Sequence, residues 1–276
     1  MEFALIPAGE FIMGSSDGAL DEAPATLVKV EKPFWMGVTE VTATQFRRFD
    51  PSHNNGFFDQ QHKDHNAPGY PADGSNRPVI RISWNGARAF SDYLSEKTGR
   101  KFQLPTEAQW EWACRAGAAT PFHYGDLDAD FSSYANLADY STRLLAVNGV
   151  NPQPIPNPSP YFAFLPKDER FNDGAFVMTD AGRYTPNAWG LRDMHGNVCE
   201  WTRSSYRPYP YAENDGRNDP SPDEDKVVRG GSWRDRPKRA GSAFRLAYRP
   251  YQRVFNVGFR VVCELETGKQ VADSRE

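Results

Sequence analysis

The chain has 276 residues and a formal charge of −4. That length is enough for one large domain with a sizeable core, and the mild acidity argues against a general nucleic-acid binder. Apolar residues make up only 39%, against 22 Gly, 22 Pro and 13% aromatics, which points to a loop-rich fold pinned by aromatic side chains. No apolar run approaches the ~20 residues of a membrane span, and no signal peptide precedes the first strand, so the compartment stays open.

Residues 3–14 read as a strand bent at Pro7 and Gly9. Val28-Lys29-Val30-Glu31 alternates apolar and polar as a half-buried strand does, and Phe34 to Val38 reads as a short buried one. Thr42 can cap a helix carrying Phe46 and Phe49. Residues 50–77 read as a long loop holding His53, His62 and His65, which could bind a transition metal or simply be solvated. Ser83 is a good N-cap for a helix with Ala87, Phe90, Tyr93 and Leu94 on one face, ending at Gly99. Thr106 and Gln109 form a capping box for a second helix. On it Trp110 and Cys114 share a face, and Gly117 is placed to end it.

Residues 118–190 are mostly loop, and the proline-rich run 151–160 reads as an insertion inside one domain. Gly190 to Trp201 is too polar for a core strand and too broken by glycine for a helix. Its carboxylates Asp193 and Glu200, with the backbone freed to bend at Gly196, suit a hard cation such as Ca2+, or merely a solvated turn. Residues 203–226 form a further polar loop. Residues 227–233 and 256–262 read as strands bounded by glycine turns. A polar tail follows from about Glu266. Cys114, Cys199 and Cys263 match no zinc spacing, and the odd count allows at most one internal disulfide.

Several of these segments, taken in order, resemble the formylglycine-generating enzyme family, also called sulfatase-modifying factor domains. They are Ile6 to Ser15, Val38-Thr39-Glu40-Val41-Thr42, Arg77-Pro78-Val79 with Ser83-Trp84, Leu104 to Glu111, Gly190 to Trp201, Arg229-Gly230-Gly231-Ser232-Trp233, and Gly258-Phe259-Arg260. The resemblance implies a single compact α+β domain of C-type-lectin-like type over residues 1–265, with long loops at about 50–77, 141–170 and 203–226 and a tail at 266–276. It also implies one or two bound Ca2+. One site would use Asn136, Leu137, Asp173 and Ala175. The other would use the side chain of Asp193, where the family usually has Asn, the carbonyls of Gly196 and Val198, and Glu200. A Cys114–Cys263 disulfide is compatible with the family pattern, as are two reduced thiols.

The aerobic enzymes of that family hold copper between two cysteine thiolates, soft ligands that suit Cu(I). The matching positions here are about Gly241 and Leu246, and no cysteine occurs from 200 to 262. No copper is therefore expected, and formylglycine-generating activity is not. Residues 229–260 instead interleave arginines with aromatics, and arginine forks suit carboxylate, sulfate or phosphate. Trp233, Arg234, Arg236, Arg245, Tyr248, Arg249 and Tyr251 are the expected ligand surface, for a peptide, glycan or anionic small molecule. The alternative is that several arginines pair with acids such as Asp219, Asp223 and Glu224. Arg229 and Arg260, inside family motifs, are expected to be structural, as are His123 and His195. The leading expectation is a monomeric, Ca2+-stabilised ligand-binding domain. The competing one is a metal-dependent oxidoreductase of non-haem iron type, drawing on the histidine loop.

Overall fold

A computed structural model describes residues 1–58, 70–144, 167–219, 221 and 223–265. His62, His65, the run 151–160 and the tail 266–276 lie outside the described residues. Strand β1 (Phe3–Ile6) stops at Pro7, which has no N–H for a ladder. The chain then enters a hairpin of β2 (Gly9–Met13) and β3 (Thr26–Val30). Strand β4 (Phe34–Gly37) returns beside β1, with Phe3 opposite Gly37 and Ile6 opposite Phe34. Thr42 opens a one-turn helix, α1 (Ala43–Phe46), through a capping box with Gln45. Strands β5 (Phe57–Phe58) and β6 (Tyr70–Pro71) form a minimal ladder.

The long helix α2 (Trp84–Thr98) begins on Ser83 and ends on Gly99 in the left-handed region, φ +72°. Strand β7 (Phe102–Gln103) leads to α3 (Glu107–Arg115), whose capping box pairs Thr106 with Gln109. The left-handed cap of α3 is Ala116, one residue before the expected Gly117. From Ala116 to Val198 no strand or α-helix forms among the described residues. The remaining strands are β8 (Cys199–Ser205), β9 (Lys226–Arg229), β10 (Leu246–Tyr248), β11 (Val257–Gly258) and β12 (Val262–Glu264).

Two four-stranded sheets organise the fold. In the first, ordered β1-β4-β12-β7, strand β12 pairs antiparallel with both β4 and β7, so the last strand closes the domain onto the first turns of the chain. The second is ordered β10-β9-β8-β11, with β11 parallel to β8. Strand β8 corrects the sequence reading, which gave turn and polar loop over the same residues. Its fully buried polar side chains are tolerated because they have partners. Glu200 meets Arg260, Thr202 Oγ1 donates to the Val227 carbonyl at 3.0 Å, and Ser204 Oγ donates to Asn218. Buried polar groups persist in a strand only when satisfied in this way.

The core divides between the two longer helices. Helix α3 packs Trp110, Ala113 and Cys114 against Ile6, Met36 and the β2–β3 hairpin. Helix α2 packs Trp84 and Phe90 against Phe46, Trp201 and Phe259, and Trp84 Nε1 donates to the Thr202 carbonyl at 2.8 Å. Cys114 and Cys263 fall in these two separate clusters and no disulfide joins them. The architecture is α+β, with long irregular segments held by side-chain bonds rather than ladders.

Candidate functional site: a cationic groove above a carboxylate-rich core

The capping of α3 puts Glu107 in its first turn and Glu111 one turn later, both wholly buried. Each meets arginine. Arg245 donates to Glu107 from Nε at 2.6 Å and Nη2 at 3.1 Å, and its guanidinium lies over the rings of Tyr206 and Tyr209 at 4.5 and 4.2 Å. Arg229 pairs with Glu111, and its Nη1 donates to the carbonyls of Ala243 at 2.6 Å and Phe244 at 2.8 Å. Glu111 Oε1 also accepts the Gly14 N–H at 2.9 Å. One glutamate thus ties the Gly14 loop to the 243–244 segment.

Those two segments are the walls of an open groove of about 650 Å3. Residues 14–19 line one side, and Arg236, Lys238, Arg239 and residues 241–246 line the other. The positions expected to match the copper cysteines, Gly241 and Leu246, both lie in this wall. Arg236 and Lys238 are exposed and make no ion pair among the described residues. Arg239 is 3.6 Å from Asp235 and stacks over Phe244 at 5.5 Å.

The donor set does not fit thiolate-bound copper. The thiol nearest the groove is Cys114, buried behind Ser242 with Sγ 3.5 Å from its Oγ. Burial pushes that thiol up to about 12, so it is neutral and inert. Its neighbour His195 has Nδ1 2.7 Å from the Ala240 carbonyl and Nε2 3.3 Å from the His123 N–H. That pattern fixes the neutral ring with the proton on Nδ1, and burial lowers its pKa to about 3.

The expected ligand surface is divided by the structure. Arg245 belongs to the core for the reason above. Trp233 is only 3% exposed and packs on Phe58 at 5.0 Å, with its Nε1 buried and unpartnered. Both lie in an arginine-rich stretch that suggests surface, but their side chains point inward. Arg234 stacks on Phe255 at 5.0 Å, and half-buried Tyr248 meets Trp201 edge-on at 6.1 Å. Arg249 pairs with Asp225 at 3.0 Å, and Tyr251 is 70% exposed. Of the seven residues only Arg236 and Arg245 reach the groove. Arg260 is structural as expected, donating to Glu200 from Nε at 2.7 Å and Nη2 at 2.6 Å.

The two sets of expected calcium residues are neighbours. Asn136 bridges to Gly196, its carbonyl accepts the Asn197 N–H at 2.8 Å, and its Nδ2 donates to Asn197 Oδ1 at 3.2 Å. Gly196 is required there: φ is +86°, and a Cβ would lie 2.1 Å from the Asn136 carbonyl. Asp193 Oδ2 accepts the Gly182 N–H at 2.5 Å, while Oδ1 is buried without a partner. Glu200 commits both oxygens, to Arg260 and to Trp110 Nε1 at 2.8 Å. Val198 is buried beside them. Asp173 accepts the N–H groups of Leu137 and Ala175, each at 2.8 Å. Burial and the adjacent Asp139 raise its pKa to about 7. The Ala175 carbonyl accepts from Ser141.

Sequence reasoning missed Glu40. It is 1% exposed, its Oε1 accepts from Asn197 Nδ2 at 3.0 Å, and its Oε2 has no partner. Burial, and next the charge of Asp193, hold its pKa well above the usual carboxylate range. The local signal is only an acid between Val38-Thr39 and Val41-Thr42, and its partner Asn197 lies 157 positions away. Asn136 Oδ1 is a third buried orphan in this neighbourhood. Orphaned acceptors gathered around surplus negative charge fit a hard, oxygen-seeking cation.

The fold and site together define an irregular α+β domain whose buried acids hold up a cationic groove. The sulfatase-modifying factor enzyme 1-like domain matches residues 1–265, and the chain belongs to that family. It is 27% identical to the formylglycine-generating enzyme of Mus musculus, over 94% of this chain and 74% of that protein. It is also 27% identical to the inactive C-alpha-formylglycine-generating enzyme 2 of the same species, over 97% of this chain and 87% of that one. PvdO from Pseudomonas aeruginosa superposes with a TM-score of 0.72 at 26% identity, covering 95% of this chain and 94% of its own. An active and an inactive namesake match equally well, so identity alone does not decide catalysis.

Proposed function

We propose that this protein is a ligand-binding member of its family, of C-type-lectin-like fold, that takes an anionic peptide, glycan or small molecule in the 14–19/236–246 groove. The carrying observation is that the groove wall offers exposed Arg236 and Lys238 without acid partners among the described residues, and no thiolate pair. Arginine and lysine supply fork and point charge for carboxylate or sulfate. The Glu107–Arg245 and Glu111–Arg229 pairs hold the wall rigid, so little ordering cost falls on binding.

Calcium would stabilise the scaffold and take no part in chemistry. Glu40 Oε2, Asp193 Oδ1 and Asn136 Oδ1 are the side-chain atoms free to hold it, with the Gly196 and Val198 carbonyls alongside, while Glu200, expected as a ligand, is committed to Arg260 and Trp110. Leu137, Asp173 and Ala175 would form a second, weaker position. The oxidoreductase reading has less to draw on: of its three histidines only His53 is described, with Nε2 3.1 Å from Asn55 Oδ1 and its ring edge-on to Phe46.

The test uses two fluorescent probes, an oligoglutamate peptide and a heparin-derived oligosaccharide, followed by anisotropy at several salt concentrations. At least one is expected to bind saturably, and the double change Arg236→Glu with Lys238→Glu should weaken it by about tenfold or more with the melting temperature unmoved. Affinity unchanged in that variant contradicts the groove assignment. Stoichiometric copper or iron in the purified protein contradicts the non-oxidase reading.

A further inference from the structure

Helix α2 presents Trp84, Arg88, Asp92 and Ser95 along one face, at the i, i+4, i+8 and i+11 spacing of a helical stripe. With Phe102, Leu104 and Arg203 they enclose a pocket of about 460 Å3, within the size range of small-molecule sites. The pocket is apolar at its base, where Trp84 is fully buried and Phe102 and Leu104 nearly so. Its serines are already satisfied: Ser91 Oγ donates to the Ala87 carbonyl at 3.1 Å and Ser95 Oγ to the Ser91 carbonyl at 2.9 Å. Asn218 is committed to Ser204 and to the Tyr211 hydroxyl.

The arginines are different. Arg229, Arg245, Arg260 and Arg217 are buried and each has a carboxylate partner. Arg88 and Arg203 have none among the described residues, yet the Nε of each is buried with no hydrogen-bond acceptor. Arg88 only rests over the Trp84 ring at 5.4 Å. The acids felt by Arg203, led by Glu213, act at a distance, and burial depresses its pKa. Lys101 at the edge is exposed and pairs with Glu264 at 2.6 Å, and the single acid lining the pocket, Asp92, is exposed. Each half-buried guanidinium thus keeps one buried, unsatisfied N–H beside an apolar base. A buried donor without an acceptor is costly, and a bidentate oxyanion is the partner that a guanidinium fork matches.

We propose that this pocket, on α2 and β8, binds a small molecule carrying a carboxylate, sulfate or phosphate on an apolar or aromatic body, through Arg88 and Arg203. The site is separate from the groove, with which it shares no residue. Isothermal titration with benzoate, benzenesulfonate and phenyl phosphate tests it, with neutral benzyl alcohol as control. One-to-one binding of at least one of the acids is expected, at least tenfold tighter than the alcohol. The loss of a charge-assisted bond in Arg203→Met or Arg88→Met should weaken it by about tenfold or more. A preference for phenyl phosphate would point to a phosphate monoester, and one for benzoate to an organic acid. The Arg236→Glu/Lys238→Glu protein should bind as wild type does, which separates this site from the groove. Should either Met variant fail to fold, Arg203→Lys keeps the charge without the fork and should still lose affinity. The proposal is overturned if none of the acids binds wild type, or if binding survives both arginine changes.

Discussion

The groove rim and the carboxylates around Glu40 carry opposite imbalances of charge. On the rim, Arg236 and Lys238 stand in solvent without an ion-pair partner among the described residues. Inside, Glu40, Asp193 and Glu200 are all at most 3% exposed, and Arg260 is the one cation paired with them among the described residues. Water can screen the first imbalance at almost no cost, but not the second. The rim is therefore permitted to bind an anion, whereas the interior must take up a cation or a proton. The Glu107, Glu111, Arg229 and Arg245 cluster shows the third possibility, acids and bases matched within the fold.

The sharpest way to break this contrast is to remove the cation that the interior does have. Arg260→Met leaves Glu200 unpaired beside two further acids, and the expected loss is about 3–5 kcal/mol by chemical denaturation. A loss below about 1 kcal/mol would mean that a bound ion or proton already neutralises the cluster without help from Arg260. At the solvated extreme, Arg249→Ala removes the pair with Asp225, in which both side chains are well exposed. Its effect should fall within about 0–1 kcal/mol and vanish in high salt, as screened pairs do. A larger effect would show that surface and interior charge are not as separate as described.

What was readable in the sequence was local. The N-caps Thr42, Ser83 and Thr106 were legible because a hydroxyl that caps a helix needs only its own next three residues. Strand β8 was not legible. Cys199-Glu200-Trp201-Thr202-Arg203-Ser204-Ser205 looks like a polar turn until Arg260, 60 positions away, is known to meet Glu200. Arg245 was misplaced for the same reason, since its partner Glu107 lies 138 positions earlier on α3. Glu40 is the clearest case. It sits 157 positions from Asn197, and nothing in its own neighbourhood reveals that Asp193 will share its pocket. The resemblance to the family supplied the ordered motifs, but not which of their acids remain unsatisfied.

We propose that the adjoining buried carboxylates of Glu40 and Asp193 form a cation site that supports the fold. It is tested most directly by melting wild type and Glu40→Gln in chelator and then in graded Ca2+. Without metal, burial and then the charge of Asp193 favour the neutral form of Glu40, so the glutamine should melt close to wild type. Ca2+ at 100 times its Kd should then stabilise wild type by about 2.7 kcal/mol and raise its melting temperature by several degrees. Glu40→Gln should respond weakly or not at all. A wild-type melt indifferent to Ca2+, or an equal response from Glu40→Gln, would contradict the account.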